Sequence, residues 1–94
     1  MATYLMFGQY TAASVKKISA KRTEDSLDLV KKLGGKIKDG YAMLGDQDLL
    51  IILEAKDNQT AMKISVELAK LLEVSFTTAP AVSIEEFDKL MGDV

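Results

Sequence analysis

The chain has 94 residues, 48% of them hydrophobic and 28% charged, with a net charge of −2. That length makes one domain, residues 1–94, with no room for a second core. It holds neither cysteine nor histidine, which excludes disulfides, thiolate chemistry, histidine-ligated metals and serine–histidine hydrolysis.

In chain order, residues 3–10 (TYLMFGQY) are rich in aromatic and apolar types and predict a first strand with apolar residues on both faces. A helix is expected from about Thr11 to Leu33, ended by Gly34 and Gly35. Its apolar stripe is Val15, Ile18, Leu29, Val30 and Leu33, and at about 100° per residue Arg22 and Ser26 fall inside that stripe. The middle of this helix is therefore polar on its buried side, and a kink is expected near Ser19 to Arg22.

Lys36 to Ala55 reads as a hairpin turning at Gly45, Asp46 and Gln47. Leu49 to Leu53 is an unbroken apolar run, which predicts a strand with both faces buried. Asp57 is a natural N-cap for a second helix to about Glu73, with Ala61, Ile64, Leu68, Leu71 and Leu72 inward. Val74 to Ala79 alternates as a fourth strand that Pro80 should limit. Ser83 and Glu86 form a capping box opening a short terminal helix, able to bury Ile84, Phe87, Leu90 and Met91.

Two βαβ-type halves joined by the hairpin give an α+β, ferredoxin-like βαββαβ fold. The expected sheet is four-stranded and antiparallel, order 4-1-3-2, with two helices on one face. The central strands are then the two with apolar residues on both faces. Tyr4 and Met6, with Leu49 or Leu50 and Ile51 or Ile52, are expected to leave an apolar open face. A patch of that kind calls for a partner, and a homodimer with its sheets face to face is expected.

With the segments placed, the chain resembles the GYD-domain family over nearly its whole length. The matching stretches are residues 2–11 (ATYLMFGQYT), 18–23 (ISAKRT), 33–36 (LGGK), 41–45 (YAMLG), 48–50 (DLL) and 77–82 (TTAPAV), with Phe87. The resemblance implies a ferredoxin-like domain of the dimeric α/β-barrel kind and says little about activity. One position departs from the family pattern: Gln47 stands where the family carries a tyrosine before the aspartate. Either that tyrosine has a chemical role in relatives, which this chain then lacks, or it packs or caps the turn, a role that glutamine can take over.

Five residues are candidates for a ligand site. Arg22, inside an apolar stripe, must find acceptors: a structural ion pair, backbone carbonyls, solvent, or an anion bound beside a cavity. Asp48 opens a central strand at the sheet end where Tyr10 finishes the first; it is either a turn-forming residue or a carboxylate base. Tyr4, Tyr10 and Tyr41 supply phenols that are either core or cavity lining. Gly34, Gly35 and Lys36 end a helix rather than start one, so they form no phosphate loop.

The function expected on these grounds is a homodimeric, non-catalytic small-ligand-binding or assembly module, without metal or cofactor. The alternative is a cofactor-free enzyme, an isomerase or monooxygenase-like protein acting on a small apolar or aromatic compound. The slightly acidic balance gives no electrostatic reason to bind nucleic acid or an anionic membrane. With no apolar stretch of spanning length and no signal sequence, the expected compartment is the cytoplasm.

Overall fold

The computed structural model describes residues 1–92. Its elements are β1 (Ala2–Tyr10), α1 (Ala12–Val15), α2 (Ala20–Lys32), β2 (Lys36–Ala42), β3 (Leu49–Ala55), α3 (Asn58–Leu72), β4 (Val74–Ala81) and α4 (Ile84–Met91). The strands form one antiparallel sheet in the order β2-β3-β1-β4, which is the expected 4-1-3-2 read from the other edge.

Register decides which side chains the helices cover. Tyr4 lies opposite Leu53 and Met6 opposite Ile51. All four are buried together with Val30 of α2 and Ala61, Ile64, Leu68 and Leu72 of α3. This corrects the placement of Tyr4 and Met6 on the open face. Both phases of β1 are apolar, so a two-residue period could not tell which one the helices would take. The other phase pairs Leu5 with Ile52 and Phe7 with Leu50, and these four remain half-buried on the uncovered side. The run Leu49 to Leu53 is thus buried on one face only in a single chain.

The first helix is broken outright rather than kinked. Ser19 takes an extended conformation (φ −160°, ψ 158°) and its Oγ accepts the Arg22 N–H at 3.1 Å, so it caps a new helix. Val15 and Ile18 fall on the interrupted stretch and are exposed instead of buried. Gly34 then closes α2 at φ +90°, a conformation glycine adopts without strain. Two further expectations are corrected at the C-terminal end. β4 runs through Pro80 to Ala81 because it is an edge strand, where a missing N–H costs no ladder bond. The capping serine does form α4, with Ser83 Oγ accepting the Glu86 N–H at 3.0 Å, but none of the helix is buried. Among the described residues, no helix is long and apolar enough to cross a membrane.

Candidate functional site

The break between α1 and α2 creates the candidate site. It turns Ser14 back beneath α2, where Arg22 reaches it with both arms of its fork. Nη1 donates to the Ser14 carbonyl at 3.0 Å and Nη2 to Ser14 Oγ at 2.9 Å. Ser14 is fully buried, and its hydroxyl donates in turn to the Leu72 carbonyl at the end of α3, at 2.6 Å. Ser26, one turn along α2, is buried and bonds back to the Arg22 carbonyl at 2.9 Å. The polar residues of the stripe therefore satisfy one another and join three helices.

Two of the five guanidinium N–H groups are used this way, which leaves three for another acceptor. Arg22 lines a cavity of about 340 Å³ between α2 and the β2 side of the sheet. The helix wall is Ile18, Ser19, Thr23, Ser26 and Leu27; the sheet wall is Ile37, Leu49 and Ile51, with Tyr10 and Leu72 at its end. A volume near the lower bound of ligand sites, an apolar sheet wall and one charged group among hydroxyls on the helix wall suit a small molecule with an apolar body and a polar, acceptor-bearing end.

The electrostatics around the arginine come from outside the cavity. Lys17 Nζ lies 2.6 Å from Glu73, and this bond and charge, with a smaller contribution from Arg22, hold the Glu73 carboxyl below its ordinary range. Glu73 itself closes α3 in the left-handed conformation (φ 55°), and its carbonyl accepts the Thr11 hydroxyl at 3.0 Å. No buried side-chain N or O lacks a hydrogen-bond partner, and no three carboxylates gather as a metal site, among the described residues.

The five candidate residues do not converge. Arg22, Tyr10 and Tyr41 line this cavity, Tyr41 at its rim. Tyr41 lies opposite Leu50, which puts its side chain on the open face, where its hydroxyl bonds Asp39 at 2.9 Å. That bond and the Asp39 charge hold the phenol proton more tightly than usual. Tyr4 lines a different groove of about 340 Å³, between α3 and β4, and its hydroxyl donates to Asn58 at 2.6 Å. Asp48 lines neither: its Oδ2 accepts the Tyr10 N–H at 2.8 Å and fastens the end of β1 to the start of β3. Sequence reasoning missed Ser14, Ser19 and Leu27. The one readable signal was Ser19, a good N-cap residue lying inside a predicted helix.

An antiparallel sheet with its helices on one face and a cavity beneath the first of them defines a ferredoxin-like α+β domain. The chain belongs to the GYD domain family, whose model matches residues 4–91. Comparison with curated proteins finds no match. Among solved structures, the fold is similar to the Leucine response regulatory protein (LrpA) of Mycobacterium tuberculosis, with a TM-score of 0.63 at 6% identity. It is also similar to an AsnC family transcriptional regulator from Agrobacterium tumefaciens, with a TM-score of 0.60 at 16% identity. Each alignment covers 87% of this chain but 51% and 50% of those proteins, so this chain spans about half their length and the likeness is one of fold.

Proposed function

We propose that this domain is a homodimeric small-molecule-binding module whose ligand occupies the cavity beneath α2. The observation that carries this reading is Arg22, a charged fork with unspent donors on the wall of a cavity whose sheet side is apolar. In this reading Arg22 holds an acceptor group of the ligand, a carboxylate or carbonyl, while Tyr10, Ile37 and Ile51 contact its apolar or aromatic body. The likeness to a leucine response regulatory protein agrees with a sensing role. Asp48, the carboxylate that an enzyme would use as base, is taken up by the Tyr10 backbone amide and does not line the cavity, which favours binding over catalysis. The homodimer is supported by the uncovered face with Leu5, Phe7, Leu50 and Ile52.

The test is a thermal-shift series with benzoate, hexanoate and benzyl alcohol. At ten times its Kd, a ligand of the folded state adds about 1.4 kcal/mol, roughly 6–11 °C in Tm for a domain of this size. The carboxylates should shift the wild type and leave Arg22→Ala at its own lower baseline, with Arg22→Lys between the two. If none of the three compounds moves the wild-type melting point, the binding reading fails.

A further inference from the structure

The two edges of the sheet are not alike. β2 carries Lys36, Lys38 and Asp39 and a register shift between Ile37 and Asp39, the charges and irregularity that keep an open strand from pairing with a neighbour. β4 (VSFTTAPA) has no charged residue, and its ladder to β1 runs without a shift from Val74 to Ala81. α4 follows after two residues, and none of it is buried, so it does not lie along this edge. Pro80 alone blunts the strand, and it also fixes which backbone groups are free. In an antiparallel ladder alternate residues bond inward, and Pro80, opposite Tyr4, has no N–H to give. Ser75, Thr77, Ala79 and Ala81 therefore bond to β1, while Val74, Phe76 and Thr78 turn their amides outward.

The helix above this edge is bare on the same side. Met62 and Val66 line the groove between α3 and β4 and are 68% and 54% exposed; Ala69, one turn on from Val66, is half-buried. α3 is bonded to both strands beneath it, through Tyr4 and Asn58 to β1 and through Ser65, which donates to the Thr78 hydroxyl at 2.8 Å, to β4. It therefore runs over the boundary between them. About one strand spacing, roughly 4.8 Å, separates that boundary from an axis along the outer side of β4. A two-fold there, perpendicular to the sheet, sets two copies of α3 about 10 Å apart, a packing distance for helices. Phe76 does not obstruct the approach, because it leans inward over Gly8, where a Cβ would lie 2.9 Å from its Cε1. A free peptide strand would pair with the edge and leave Met62 and Val66 bare. A second copy of this chain covers both.

We infer that β4 pairs antiparallel with β4 of another copy and so joins two of the homodimers proposed above, on which this inference rests, into a tetramer. In the pairing centred on Thr77, Phe76 and Thr78 of one copy exchange bonds with Thr78 and Phe76 of the other, and Val74 donates to the carbonyl that Pro80 still offers. Above the ladder, Val66 meets Ala69 of the other copy, and the contact is reciprocal. A face-to-face axis that crosses the strands stacks like edge over like edge and intersects the axis through the ladder. The assembly then closes instead of growing into a filament. Each homodimer presents two β4 edges on one side, so both ladders form together, where a lone chain has only one to offer.

The experiment measures mass by light scattering, with dissociation constants from dilution, for the wild type, Val66→Glu, Thr78→Pro and Ile52→Lys. The wild type should have four times the chain mass of 10.3 kDa. Val66→Glu places a carboxylate at an exposed position, and Thr78→Pro removes an outward amide that its own chain does not use. Both should be folded dimers whose further association is on the order of 100-fold weaker. Ile52→Lys, on the open face, should be a monomer. A wild-type tetramer or dimer that Val66→Glu leaves equally tight overturns the edge pairing while the homodimer stands. A wild-type dimer that Val66→Glu splits and Ile52→Lys does not keeps the edge pairing and overturns the face-to-face homodimer. A wild-type monomer at 100 µM overturns both. If Thr78→Pro does not fold, Val66→Glu decides alone.

Discussion

At the scale of single residues, Arg22 and Asp48 show how a charged side chain is accommodated in a small domain. Asp48 is held by its whole peptide unit: its N–H donates to the Gly8 carbonyl and its own carbonyl accepts from Met43, each at 2.8 Å. The carboxylate adds the bond to the Tyr10 N–H. If that bond is its role, an amide oxygen can replace it. Asp48→Asn should cost less than about 0.5 kcal/mol, whereas Asp48→Ala leaves the Tyr10 amide without an acceptor and should cost roughly 1–2 kcal/mol. Urea denaturation at one fixed protein concentration separates the two; equal losses would mean that the negative charge itself is needed. Asp48 was legible as a residue beside the hairpin turn, but the amide its carboxylate holds is that of Tyr10 on a neighbouring strand rather than one of the turn. Arg22 was legible as an anomaly in an apolar stripe. Its partner was not, because Ser14 reaches Arg22 only after a chain break that periodicity does not register.

At the scale of elements, the break and the packing after α2 depend on local details that a helical wheel averages away. A serine N-cap at Ser19 competes with continuation of the first helix, and the polar stretch around it offers no burial to offset the loss. The return from α2 to β2 is tighter still. A Cβ placed on Gly35 would lie 2.6 Å from Ile64 Cδ1, and 3.2 Å from both Val30 Cγ1 and the Glu54 carbonyl oxygen. Ile64 and Val30 are fully buried and the oxygen belongs to the backbone of β3, so none gives way freely. Gly35→Ala should therefore cost about 1–3 kcal/mol by overpacking. Removing the offending methyl as well, in Gly35→Ala with Ile64→Val, should recover part of that loss, so the two substitutions are less than additive. Chemical denaturation of the two single variants and the double closes the cycle; strict additivity would show that the contact with Ile64 is not the cause. The sequence marks Gly34 and Gly35 together as a helix end, but only the structure separates their reasons: positive φ at the first, close approach at the second.

At the scale of the whole molecule, the topology was readable because turn and cap signals separate the segments, and the two apolar strands fell at the centre of the sheet. Which face each residue took was less readable, since β1 and β3 carry apolar side chains in both phases. The helices resolve this by taking Tyr4, Met6, Ile51 and Leu53, and they leave Leu5, Phe7, Leu50 and Ile52 outside. An assembly that covers this second face couples folding to association, so the melting temperature must rise with protein concentration. Ile52 is the position at which to break that coupling. It lies opposite Leu5 on one side and Asp39 on the other, so in a single chain the ammonium introduced by Ile52→Lys has a carboxylate across the strand to offset the lost apolar contact. In the face-to-face dimer the same ammonium would be desolvated between two sheets, twice, by symmetry. Thermal unfolding of the wild type between 1 and 100 µM should show Tm climbing with concentration. Ile52→Lys should unfold at one temperature over that range, near the low-concentration limit of the wild type. If the wild type already melts independently of concentration, the open face is not an interface, and its apolar residues are covered by something other than a second copy of this chain.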